Sequence, residues 1–210
     1  VSALFLRQHP AVLHQLLVDG VYSMEGDIAN LPELLKVCRK YGAALAVDDA
    51  HSIGVLGPNG DGTAAHFGMT DEIDIIAGTF SKSLASIGGF VAGSKSVINY
   101  LRHHSRPLIF TAALPPANTA GVLAALEVLQ QEPERRAQLW ANTKRLVEGF
   151  RSLGFDVGPT QTPIIPILIG PLDRTLIMWR KVFEAGIFTN PVVPPAVPPS
   201  PRKCLAVAIT

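Results

Sequence analysis

The sequence predicts an α/β fold, with a mainly parallel sheet in a larger first domain and a smaller α+β domain after it. Three observations predict this. Short apolar runs at residues 16–18 and 43–47 flank an amphipathic helical pattern, and strand, helix, strand at this spacing marks a βαβ unit. Polar clusters follow apolar runs directly, at residues 48–52 and 79–83, where an open α/β sheet binds ligands beyond the carboxyl ends of its strands. Beyond Pro115-Pro116 the pattern changes to two long helical stretches.

Taken in order, residues 16–18 lead into Gly20-Val21-Tyr22-Ser23, and together they read as one buried strand. Asn30 offers an N-cap, with Pro32 and Glu33 in the first turn. Leu31, Leu34, Leu35, Cys38 and Tyr41 then recur at helical spacing, and Gly42 closes that helix. The continuous apolar run at 43–47 suits a strand buried on both faces. Residues 74–78 and 89–92 read as two more strands. Residues 117–131 and 133–153 read as helices, the second carrying Leu139, Leu146, Phe150 and Leu153 on one face and stopping at Gly154. A strand at 164–169, a helix at 173–185, a proline-rich loop at 191–201 and a last strand from Leu205 complete the chain. The expected domains are 1–130, a partial large domain, and 131–210, a truncated small one, because a start on Val1 and an end in mid-strand suit a fragment.

Bulk composition narrows the class. Hydrophobic residues make up 48% and charged residues 17%, the balance of a folded protein with a substantial core. Eighteen basic against seventeen acidic side chains leave a net charge of +1 with no basic block, so nothing calls for nucleic acid or anionic lipid. No apolar run approaches the roughly 18 residues of a membrane span. Cys38 and Cys204 have neither CxxC nor metal-ligand spacing, so no metal is expected, and two isolated thiols suit a reducing, cytoplasmic setting.

Two segments carry chemistry. In Gly78-Thr79-Phe80-Ser81-Lys82-Ser83 a lysine follows a strand between hydroxyls. A lysine amine held partly neutral by its surroundings can form an imine, and the Thr79 and Ser81 hydroxyls can hold a phosphate. A P-loop would need glycine directly before the lysine, where Ser81 stands; a lysine in a polar surface turn is the plain alternative. In Asp48-Asp49-Ala50-His51-Ser52, two carboxylates and an imidazole at a strand end can bind a metal, act as acid and base, hold a cofactor ring, or merely cap a turn.

Together these segments resemble the α-oxoamine synthases, fold-type-I enzymes that use pyridoxal 5'-phosphate (PLP) to join an amino acid to an acyl thioester. The resemblance extends through Gly20-Val21-Tyr22-Ser23-Met24-Glu25-Gly26-Asp27, Asp48-Asp49-Ala50-His51-Ser52-Ile53-Gly54 and Gly57-Pro58-Asn59-Gly60. It continues in Gly78-Thr79-Phe80-Ser81-Lys82-Ser83, Gly88-Gly89-Phe90, Arg106-Pro107-Leu108-Ile109-Phe110-Thr111 and Pro194-Pro195-Ala196-Val197-Pro198-Pro199. Within the family, the Thr79 to Lys82 wording and Phe110-Thr111 are nearest to serine palmitoyltransferase-like members, with motifs shared by 8-amino-7-oxononanoate synthase-like ones.

The resemblance implies roles. Lys82 would hold PLP as a Schiff base and later move the proton at the substrate α-carbon. Asp48 would face the pyridinium nitrogen and His51 the ring's phenolic oxygen, making these three the expected catalytic residues. Ser23, Thr79, Ser81 and Thr111 would complete the cofactor contacts, Thr111 on the phosphate of a neighbouring subunit in a homodimer. Asp49 would be structural. The implied reaction condenses the amino acid with acyl-CoA or an acyl-carrier protein and loses carbon dioxide, giving an α-amino ketone.

Two departures stand against the family pattern. Members run to about twice this length, and their N-terminal half supplies a histidine stacked on the ring. Near the end, an arginine that would clamp the substrate carboxylate is replaced by Leu205 or Val207, depending on alignment, with Arg202 and Lys203 the nearest cations. The rival readings are therefore a non-catalytic or truncated member, another fold-type-I enzyme such as an aminotransferase, and a hydrolase using Ser52 in an imperfect G-x-S-x-G elbow.

Overall fold

The computed structural model describes residues 14–194, 196 and 204–208, the last segment as backbone. Arg202, Lys203 and most of the Pro194 to Pro199 motif lie outside the described residues. The chain divides into two compact units: Val1–Val21 with Ala29–Pro133, and Tyr22–Ile28 with Glu134–Thr210.

The first unit begins with β1 (Gln15–Asp19), α1 (Leu31–Tyr41) and β2 (Ala44–Asp48). The Asn30 side chain accepts a hydrogen bond from the Glu33 N–H, and Gly42 ends α1 in the left-handed region, as the residue types predict. Leu31, Leu35 and Cys38 are buried from α1 against Leu45 and Val47 of β2. A short helix α2 (Thr63–His66) and a 3-10 turn (Thr70–Glu72) lead to β3 (Ile75–Thr79), followed by β4 (Gly89–Gly93). Helices α3 (Lys95–His104), α4 (Arg106–Ile109) and α5 (Pro116–Gln131) close the unit. The sheet order is β1-β2-β3-β4, parallel through β3, with β4 antiparallel.

Two expectations about the strands are corrected here. Strand β1 stops at Asp19; Gly20 to Ser23 leave the sheet, and Val21 makes only an isolated bridge. Nor is β1 buried: as an edge strand it packs Leu16 and Val18 on the core and leaves Leu17 66% exposed. Strand β3, which precedes Lys82, is half-buried along its length, because only Ile76 reaches the core cluster.

The second unit contains α6 (Pro133–Ser152), β5 (Ile164–Leu168), α7 (Leu172–Glu184), β6 (Asn190–Val192) and β7 (Cys204–Ala208). Its sheet is antiparallel, ordered β5-β7-β6. Val157, Ile165 and Ile167 form its centre, with Leu146 and Phe150 of α6 and Trp179 of α7 packed on them. Leu153, expected on that apolar face, is 75% exposed, since α6 has already ended at Ser152. The proline-rich loop also starts later than expected. Pro191 lies inside β6, and Pro166 inside β5; both strands are edges, where a missing N–H leaves no gap in the ladder. Among the described residues no helix is long and apolar enough to cross a membrane.

Candidate active site

Asp48 is the last residue of β2 and is held from both sides. The Gly20 N–H donates to the Asp48 carbonyl at 2.8 Å, and the Asp49 N–H donates to the Ala77 carbonyl at 2.7 Å. The strand register sets Asp48 opposite Asp19 on β1 and Ala77 on β3. Its side chain accepts from the Ala50 N–H at 2.9 Å, which turns the chain sharply out of the sheet. His51 follows in that turn, half-buried. Burial pushes the His51 imidazole below its ordinary value, the Lys82 charge acts the same way, and the Asp19 and Asp48 carboxylates oppose both. The four groups therefore share one electrostatic environment at the carboxyl ends of β1, β2 and β3.

Asp49 has the opposite setting. It is fully buried, accepts from the Ser52 hydroxyl at 2.5 Å, and receives the Thr63 N–H at 3.1 and 3.2 Å on its two oxygens. Burial pushes its carboxyl above the usual range, against the pull of those hydrogen bonds, and the Asp48 charge adds to the rise.

Lys82 sits in the loop between β3 and β4, exposed. The loop is organised around Thr79, whose hydroxyl donates to the Gly88 carbonyl at 3.2 Å, lies 2.8 Å from the Ser81 hydroxyl and accepts from the Ser81 N–H. On the other side of the lysine, the Ser83 hydroxyl donates to the Ile53 carbonyl at 2.7 Å, tying this loop to the His51 turn. The contact needs glycine at position 54: φ is +81°, and a Cβ there would lie 2.7 Å from the Ser83 Cβ.

The structure thus brings Asp48, His51, Lys82, Thr79 and Ser81 to one end of the first sheet. Thr111 lies exposed just beyond α4, and Ser23 belongs to the Tyr22–Ile28 segment of the second unit. Asp19 escaped the sequence reading, although the signal was the same as for Asp48: an acidic residue ending an apolar run. Ser52, proposed as a hydrolase nucleophile, is fully buried with its hydroxyl spent on Asp49, which removes that reading. Among the described residues no group of His, Cys, Asp and Glu is arranged to hold a metal ion.

Residues 6–209 match the family described as aminotransferase class I and II. A serine palmitoyltransferase of Bacteroides ovatus is 49% identical over 191 residues, covering 91% of this chain and 48% of that protein. An 8-amino-7-oxononanoate synthase of Thermoanaerobacter pseudethanolicus is 46% identical over 183 residues, covering 87% of this chain and 46% of that one. A solved structure of SPT with a PLP internal aldimine superposes with a TM-score of 0.88 at 35% identity, covering 98% of this chain and 53% of that one. The chain spans about half the length of the curated relatives it matches.

Proposed function

Because the chain belongs to the aminotransferase class I and II family, and within it to the α-oxoamine synthases, we propose that the protein is a PLP-dependent acyltransferase. It condenses an amino acid with an acyl thioester, on coenzyme A or a carrier protein, and releases the free thiol, carbon dioxide and an α-amino ketone. The observation that carries this is the shared environment of His51, Asp48 and Lys82, tied together by the Ser83 to Ile53 hydrogen bond.

The residues present fit the cofactor. A primary amine, a carboxylate at a strand end, a half-buried imidazole and a pair of hydroxyls 2.8 Å apart match the aldehyde, ring nitrogen, phenolic oxygen and phosphate of PLP. When bound, PLP would serve as an electron sink for negative charge developing at the substrate α-carbon. Asp48 would stand against the ring nitrogen and favour its protonated form, and His51, whose imidazole burial shifts toward the neutral form, would hydrogen-bond the phenolic oxygen. The Lys82 amine takes and returns the α-proton, reaching it from an exposed loop. Thr79, Ser81, Ser23 and, across a homodimer, Thr111 anchor the cofactor. Support for the dimer comes from the exposed apolar residues Leu108, Ile109 and Phe110 beside Thr111. A cytoplasmic location belongs to the same proposal.

A second reading, a non-catalytic family member, is favoured by one observation: β7 carries Leu205 and Val207 and no arginine. One experiment separates the readings. The purified protein with PLP should show a visible absorbance band that Lys82→Ala lacks, and adding an amino acid with an acyl-CoA should release free thiol. A Lys82-dependent band without thiol release supports the non-catalytic reading. Conversion of the band by an amino acid alone, with a keto acid formed, supports an aminotransferase instead.

A further inference from the structure

Asp49 is a carboxylate that the proposed chemistry does not use, yet the fold converges on it. Three separate segments meet its two oxygens. Ser52, in the His51 turn, donates its hydroxyl at 2.5 Å, and its backbone N–H donates to the Asp49 carbonyl at 3.1 Å. Thr63, at the start of α2, donates its N–H to both oxygens. Gly20, just after β1, and Gly62 close the cage: a Cβ at either would fall 2.3 or 2.2 Å from an Asp49 oxygen. The Ile53 N–H also donates to the Asp49 carbonyl at 3.1 Å, and the Ile53 carbonyl accepts from Ser83, the neighbour of Lys82. One buried residue therefore joins the end of β1, the His51 turn, the start of α2 and, through Ile53, the lysine loop. Burial disfavours its charge, so the fold holds this group against a stability cost, as sites under functional constraint do.

We propose that Asp49 is a positioning residue for the cofactor: its carboxylate fixes the turn that presents His51 and, through Ile53 and Ser83, the loop that presents Lys82. The inference rests on the PLP reading above, and Asp49 itself touches neither cofactor nor substrate.

The test uses the PLP-loaded full-length protein and reads visible circular dichroism per bound cofactor, a signal set by how the site orients the ring. Asp49→Asn should fold and take up PLP but lose at least half of the visible amplitude, with kcat reduced tenfold or more. Leu35→Ala, in the core of the same unit but outside this network, should lower the thermal midpoint and keep the full amplitude. Wild-type amplitude in Asp49→Asn, with only the midpoint shifted, overturns the inference while leaving the PLP reading intact. If Asp49→Asn does not fold, Ser52→Ala decides: a halved amplitude supports the role and a full one overturns it. Absence of any visible signal in the wild type overturns both readings together.

Discussion

Side by side on the chain, Asp48 is half-buried at the end of β2 while Asp49 is fully enclosed. For Asp49 the folded state favours the neutral form, because burial raises its value. Its contribution to stability is therefore complete below the unfolded carboxylate value of about 3.9 and is lost as pH rises through the raised folded value. His51 runs the other way, since burial lowers its value: its contribution is present above about 6.5 and is lost as pH falls through the folded value. In cofactor-free protein, Asp49→Asn should gain thermal midpoint relative to wild type as pH is raised from 4 toward neutrality. His51→Gln should gain relative to wild type as pH is lowered from 7 toward 5. Parallel pH curves for wild type and variant would count against the assigned burial. At this scale the residue types were legible in the sequence and their surroundings were not. Nothing in Asp48-Asp49 says which carboxylate is enclosed; that depends on Gly20, Gly62 and Thr63 arriving from elsewhere.

Elements follow the local signals where those signals are local in origin. Helix α1 lies between the Asn30 cap and Gly42 because capping and helical periodicity act within a few residues. Strand boundaries were less legible. An apolar run does not reveal whether its strand becomes an edge, so β1 was expected to be buried and is half open. Tyr22 and Ser23 were expected to continue β1 and instead belong, with the rest of Tyr22–Ile28, to the second unit. That segment is fastened there by the Thr162 hydroxyl, which donates to the Gly26 carbonyl at 2.9 Å, and by the Gln161 N–H on the same oxygen at 3.2 Å. Thr162→Val removes the first bond and also the acceptor of the Ile164 N–H at 3.3 Å, which together should cost about 1–3 kcal/mol by denaturant titration. Amide exchange at Gly26 and its neighbours should speed up in the variant, because the strap that carries Ser23 then holds by one bond. Unchanged exchange would show that the backbone bond alone secures it.

Over the whole molecule, apolar surface remains where a globular chain would hide it. Phe110 is 81% exposed, and Leu108, Ile109, Leu123, Val91 and Ile87 are open as well. Helix α5 has no buried residue despite its apolar composition. Isolated exposed apolar residues are ordinary, but several in one unit indicate surface that associates. In the proposed homodimer, Phe110→Asp should move the protein from dimer to monomer in size-exclusion chromatography and weaken PLP binding through the adjacent Thr111. A dimer retained at micromolar concentration would place the subunit contact elsewhere.

The sequence by itself determined the class of the first sheet, the order of the motifs and the inventory of reactive groups. Each of these is written in short stretches, where periodicity, caps and residue chemistry suffice. Only the tertiary structure decided that Asp19 stands opposite Asp48, that Asp49 is caged while Lys82 is exposed, and that Ser83 ties the lysine loop to the His51 turn. Those relations join segments as many as thirty residues apart, from Ile53 to Ser83. They arise from strand register and from space shared between backbones, which no local pattern encodes.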